Sequence, residues 1–307
     1  MDGALVLTQL LNGLQLGVLL FLVAAGLTLV FGIMDFVNLA HGALYMVGAF
    51  FCASVALWLD SFTLAILIAL PATFVVGFIL DFLVIRFLYQ RNHLDQVLAT
   101  FGLILVFDTL AQMIWGPAGL TFALPSALNG RVGVFGITEI PVYRLLIIFT
   151  GLLVAAALYV IILRTRIGMW VRAGASNRNI AGALGINIKN LFHFVFATGA
   201  MLAGLAGMMI APITAASVGM GSDILIIAFV VIIIGGIGSI RGAFIGALIV
   251  GLIDTMGRAF LDDVMKLFLS TEVAETSAPA LSAMLIYILM ATILYFRPQG
   301  LFPPNIR

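Results

Sequence analysis

Asp35, Asn38 and His41 interrupt an otherwise apolar stretch of this chain, in the string DFVNLAHGALY that closes on Tyr45. Polar side chains surrounded by hydrocarbon are costly unless paired or hydrated, so they are rarely idle. Successive members lie three residues apart, and on a helix they would share one face. The pattern suits a broken helix lining a passage, or groups that cap helix ends at a membrane surface. Asp108 stands inside the apolar run 97–115 with no partner on its own helix; it suits a proton relay or, more simply, a hydrogen bond between helices. Asp81 lies close to Arg86, as expected of an inner interface, and Asp254 and Arg258 are spaced to pair one turn apart. Gly235, Gly236 and Gly238, in GGIGSIRG, interrupt another apolar stretch. The Gly236-x-Gly238 pair lacks the strand–helix context of a dinucleotide loop. The sequence holds no Walker A string, HExxH helix, cysteine cluster or nucleophile elbow, so it is expected not to be an enzyme and to bind no cofactor or metal of its own. The lone Cys52 allows no internal disulfide and reads as a packing residue.

The elements that carry these residues follow from composition. Of 307 residues, 64% are hydrophobic and only 9% are charged, too few to cover the surface of a water-soluble domain of this length. Uncharged runs such as 145–163 and 281–296 are near the length that crosses a bilayer core of about 30 Å. They do not alternate apolar and polar residues as barrel strands would, so the fold class is all-α, a polytopic transmembrane bundle. Hydropathy places spans at 6–32, 42–59, 62–85, 97–115, 142–163, 191–211, 223–236, 241–258 and 280–296. The chain reads as one transmembrane domain, 1–307, of eight or nine spans depending on how the breaks at 34–41 and 235–242 are counted. Such breaks survive at membrane depth only inside protein or beside water. The small-residue repeats Gly242–Gly246 and Gly199–Ala203–Gly207 let helices approach closely, within the bundle or against a partner.

Lysine and arginine give the spans a direction. The segment 164–190, RTRIGMWVRAGASNRNIAGALGINIKN, has five basic residues and no acid. Placing it in the cytoplasm puts ten of the fourteen basic residues inside, with Arg86, Arg91, Arg241, Arg297 and Arg307. The N-terminus is then outside and the C-terminus inside, an odd number of crossings, so a count of eight needs one half-spanning element. The first apolar run follows Asp2 rather than a basic region and is too long for a signal peptide, so it is expected to stay as a span. Outer loops at 116–141 and 259–279 could face an extracytoplasmic partner. Within 164–190, Ser176 or Asn177 can cap a short helix running to about Leu184, and Gly185 can close it in the left-handed conformation. Ala181 and Ala183 allow close approach. Two turns are unstable alone, so this knob either docks on another protein or lies on headgroups.

The string RAGASNRNIAGALGIN, followed by ATGAMLAGLAG, resembles the coupling loop of ABC-importer permeases. With GLTLVFGIMDFVNLAHGALYMVGAF, LDQVLATFGLILVFDTLAQMIWGP, IIIGGIGSIRGAFIGALIVG and FRPQGLFP, it is similar to the branched-chain (hydrophobic) amino-acid permease family, the shorter of its two paralogous membrane subunits. These strings cover most of the chain in the family's order. The resemblance implies a bacterial inner-membrane permease working beside a paralogous permease, two ATPase subunits that bind ATP-Mg, and an extracytoplasmic substrate-binding protein. It implies coupling to the ATPases through Arg166, Arg172, Asn177, Arg178, Ala181, Gly185 and Asn187. It also implies a translocation path past Asp35, Asn38, His41, Tyr45 and Asp108. Many relatives carry an acid after the His-Gly pair where this chain has Ala43, which weakens any reading of substrate chemistry there. Urea, short amides and aromatic acids are alternative cargoes. A stand-alone secondary transporter, with Asp35, His41 and Asp108 as its ion sites, is the more remote alternative.

Overall fold

The computed structural model of the chain describes residues 3–134, 136 and 138–303; Asp2 and Arg307, used above for orientation, lie outside the described residues. Eleven α-helices carry most of these: α1 Gly3–Met34, α2 His41–Leu59, α3 Phe62–Leu83, α4 His93–Trp115, α5 Val142–Arg164, α6 Arg166–Ser176, α7 Arg178–Ala183, α8 Ile188–Thr214, α9 Met220–Gly235, α10 Ile240–Met265 and α11 Thr271–Phe296. Eight are long and apolar enough to cross a membrane, and α9, with 16 residues, is a shorter apolar helix.

Helix α1 is the hub. Every residue from Gly17 to Val30 is buried, so the helix has no polar face to turn outward. It runs against α10, α8, α5 and α9. The close approaches are made by small residues: Gly17 lies against Ala247 and Leu248 of α10, Gly26 against Gly199 of α8, and Gly48 of α2 against Gly204. Without a hydrophobic force between helices in lipid, such backbone contact supplies much of the association. The two small-residue repeats are spent inside the chain. Gly199 meets Val30, Gly207 meets the Tyr45 carbonyl, and Gly242 and Gly246 meet Gly235 and Val231.

Two expectations are corrected. Residues 35–40 are not helical, and Asp35 has φ +47°, so Asp35, Asn38 and His41 share no helical face. The outer loop expected over 259–279 shrinks to 266–270, because α10 and α11 run on past their apolar windows. Their polar ends are held by Lys266, whose ammonium lies 2.7 Å from Asp262 and 2.9 Å from Glu275; these hydrogen bonds raise its pKa. The 116–141 connection holds a hairpin, β1 Arg131–Val134 and β2 Thr138–Pro141, with Val132 opposite Ile140.

A close backbone crossing joins α2 to α9. A Cβ on Gly221 would overlap the Gly42 carbonyl, and one on Gly42 would overlap the Gly221 carbonyl. Gly102 of α4 has nothing within 4 Å. Gly221→Val should therefore destabilise the chain by about 1–3 kcal/mol or more and lower its melting temperature in detergent, whereas Gly102→Ala should leave it level or raise it. Equal melts for both variants would contradict this packing.

Candidate functional site

The break between α1 and α2 turns the chain back into the bundle. Met34 ends α1, yet His41 Nε2 lies 3.1 Å from the carbonyl of Val23, eleven positions earlier on α1. At 1.5 Å per residue, residues 35–40 climb about 16 Å back along the bundle. A peptide segment there must find protein partners. Helix α4 supplies them: Gln96 Oε1 accepts from Val37 N at 3.1 Å, and Thr100 Oγ1 accepts from Leu39 N at 3.2 Å. Those acceptors are four residues apart on one face, which matches the two-residue extended step from Val37 to Leu39. Asn38, His41 and Tyr45 are buried inside the subunit, with Asn38 and His41 both at 0% exposure, while Asp35 is exposed. Among the described residues, the Asn38 amide and His41 Nδ1 have no hydrogen-bond partner.

The loop expected to couple to an ATPase is built as two helices. Thr165 caps α6, Asn177 caps α7 by accepting from Ile180 N at 3.0 Å, and Asn187 caps α8 by accepting from Asn190 N at 3.1 Å. Gly185 closes α7 at φ +89°. Arg172 turns onto the Ile162 carbonyl at the end of α5, and Ala181 is buried. Arg178 turns inward too: its guanidinium donates to the Met34 carbonyl and lies over the Phe192 ring, 5.3 Å from its centroid. Of the named residues, Arg166, Arg172, Asn177, Gly185 and Asn187 are exposed, with the apolar Ile180 (59%) on α7 and Leu184 (77%) just past its end beside them.

Around Arg178 lies a cluster that the sequence reading did not assemble. Tyr89, in the α3–α4 connection, stands edge-on to Phe36 at 5.8 Å and to Phe192 at 5.3 Å. Its hydroxyl donates to Asp81, whose other carboxylate oxygen pairs with His193 at the start of α8. Asp81 was expected only to lie near Arg86. Nothing in sequence spacing links positions 81, 89 and 193.

A second break also went unrecognised. After α8, residues 215–219 run back to α9; Ala215 has φ +70° and Gly219 +86°, and Ala216 pairs with Leu120 of the 116–141 connection. The available signal was the string SVGMGSD at 217–223, with two glycines, two serines and an acid between apolar runs. In contrast, Gly235, Gly236 and Gly238 form a turn between α9 and α10 level with the end of α1, where Gly238 meets Gly32. The final strand of chain caps that turn, with Leu301 N and Phe302 N donating to the carbonyls of Ile234 and Gly235 at 2.9 Å. This gives FRPQGLF a structural job. Asp108 is half-buried on the outer side of α4, beside the exposed Thr109 and Gln112. Asp254 pairs with Arg258 at 3.0 Å, as its spacing indicated.

Residues 9–294 match the family described as branched-chain amino acid transport system / permease component. The chain is 30% identical over 310 residues to the high-affinity branched-chain amino acid transport system permease protein BraD of Pseudomonas aeruginosa, covering 96% of this chain and 95% of that protein. It is 29% identical to the permease protein LivH of Escherichia coli, covering 95% and 96%, and 28% identical to a probable LivH of Methanocaldococcus jannaschii, covering 78% and 76%. No solved structure matches the chain.

The re-entrant segment yields a direct prediction. Gln96→Leu leaves the part-buried Val37 N–H without its acceptor, along with the Leu88 and Arg91 carbonyls without their donor, and Thr100→Val leaves the part-buried Leu39 N–H without its acceptor, a loss of about 1–3 kcal/mol for each group. Hydrogen exchange at Val37 or Leu39 should accelerate about tenfold or more, while Thr100→Ser should keep the original rate. Unchanged exchange in both apolar variants would show that α4 does not hold the segment.

Proposed function

This chain belongs to the branched-chain amino acid transport system permease family, and on that premise we propose that it forms one half of a translocation path for branched-chain or other hydrophobic amino acids delivered by an extracytoplasmic binding protein. The other half is a second, paralogous permease. Two ATPase subunits bind ATP-Mg and supply the work, because this chain carries no ATPase motif of its own. The chain sits in a bacterial inner membrane as a single permease domain, 1–307, with the basic end of the bundle in the cytoplasm, the N-terminus outside and the C-terminus inside.

The observation that carries this reading is the bond between Arg178 and Met34. Ile180 on helix α7 and Leu184 just past its end are exposed, an apolar pair suited to a groove on a cytoplasmic ATPase, and the same helix is tied to the end of α1. When the ATPase dimer closes, displacement of α7 pulls on the Met34 carbonyl and on Phe36 through Phe192 and Tyr89. The moving element is the re-entrant segment that carries Asn38 and His41. These residues act at the hinge of the path, and Tyr45 sits one turn into the half-helix that the hinge moves. The two conformations are then set by the nucleotide state of the ATPases, which bind α7 differently in each.

Two variants separate docking from transmission. Leu184→Glu should stop the ATPase subunits from copurifying with the permease and cut ATP-driven uptake at least tenfold. Arg178→Ala should keep the ATPases bound and ATP hydrolysis running while uptake falls by a similar factor. Arg178→Ala membranes with normal uptake per ATP hydrolysed would remove Arg178 from the coupling route.

A further inference from the structure

Asp223, in the first turn of α9, is exposed at a depth where a lipid-facing carboxylate is disfavoured. Its depth follows from two neighbours. Gly221 lies against Gly42, and Gly42 follows His41, which is bonded to Val23 on α1 well inside the bundle. From Asp223, α9 runs twelve residues to Gly235, about 18 Å at 1.5 Å per residue. In the other direction α2 runs seventeen residues from Gly42 to Leu59, about 26 Å. A hydrocarbon core of about 30 Å centred on that length contains Asp223.

Among the described residues, Asp223 takes part in no ion pair and no side-chain hydrogen bond. Its place at a helix N-terminus stabilises the charge by about 0.3–1 kcal/mol, less than the roughly 2.5–3.5 kcal/mol by which a charge at the centre of a membrane helix is disfavoured. The remaining stabilisation has to come from water or from a cation outside the chain. The surroundings are consistent with a wetted face: Ser217 is exposed in the extended segment above, and Ser222 is partly exposed beside it. Ile226, three positions further along α9, is 55% exposed and offers an apolar surface next to the carboxylate.

We infer that Asp223 faces the translocation path and receives the ammonium group of the passing amino acid, with the apolar side chain of the cargo against Ile226. This rests on the importer reading above and adds a cargo contact to it. A carboxylate beside an apolar surface complements a hydrophobic zwitterion in charge and in polarity, and a mobile cargo satisfies the charge only transiently, as passage requires.

The test uses the full chain in membranes of cells expressing the importer, with the buried Cys52 as an unreactive background thiol. Asp223→Cys should react with a water-soluble methanethiosulfonate, and leucine-loaded binding protein should slow that reaction severalfold. Asp223→Asn should raise the KM for leucine uptake about tenfold with kcat less affected, and Asp223→Glu should restore it. Reaction with a lipid-partitioning maleimide alone would place the residue on lipid, and resistance to both reagents would place it in a dry contact with the second permease; either overturns the inference. Water-soluble labelling without protection by leucine, and with an unchanged KM in Asp223→Asn, would overturn the ammonium contact. Labelling is read without uptake, so a failure of the importer reading would appear separately, as wild-type membranes that take up no leucine on ATP.

Discussion

Residues 35–40 carry peptide groups into an apolar bundle where water cannot be assumed to satisfy them, and much of the surrounding architecture answers that demand. Gln96 and Thr100 accept from Val37 and Leu39, which fixes α4 beside the break. Thr100 also donates to the Gln96 carbonyl at 2.7 Å, and Gln96 Nε2 donates to the Leu88 and Arg91 carbonyls, so the acceptors are themselves held in place. At the far end, His41 reaches back to Val23. With both ends secured, α2 can begin deep in the bundle and meet the first turn of α9.

That meeting depends on glycine at two positions. Gly42 and Gly221 face each other so closely that a side chain on either would strike the other's backbone. A contact between backbones leaves no flexible side chain to absorb a displacement. Close-packed contacts of this kind shift between discrete arrangements rather than deforming smoothly. The junction of the two half-helices is thus suited to transmit movement from one to the other.

What the sequence disclosed and what it concealed divide along a physical line. Periodicity and hydropathy are local, and they gave the apolar spans, the Asn177–Gly185 helix with its cap and its left-handed stop, and the Asp254–Arg258 pair. The break at Asp35 was visible because polar residues stood where hydrocarbon was expected. Gln96, Thr100, Tyr89, Asp81 and His193 were opaque because their partners are distant in sequence and only the fold brings them together. The 215–219 break was hidden for a different reason: SVGMGSD reads as an ordinary surface turn, and only its packing against Gly42 reveals its depth. Hydropathy also misplaced the ends of α10 and α11, since it registers the apolar window and not the charged turns that Lys266, Asp262 and Glu275 stabilise beyond it.

The two breaks are tied to opposite ends of the molecule. The first is held at the basic end, where Arg178 of α7 bonds to the last carbonyl of α1. The second is held at the other end, where Leu120 exchanges backbone hydrogen bonds of 2.8 and 2.9 Å with Ala216. Ala215 adopts φ +70° there, a conformation that costs a residue with a side chain on the order of 1–3 kcal/mol and persists only where neighbouring structure enforces it. Helix α7 is linked to α2 through residues 35–40, and the 116–141 connection is linked to α9 through residues 215–219. Both routes end on the Gly42–Gly221 contact. An importer permease of the kind proposed above, answering to a nucleotide-driven partner on one side and a ligand-bearing partner on the other, needs a shared element that both can bias. This pair of helices has the connections for that role, and the exposed Asp223 lies two residues from Gly221, where they meet.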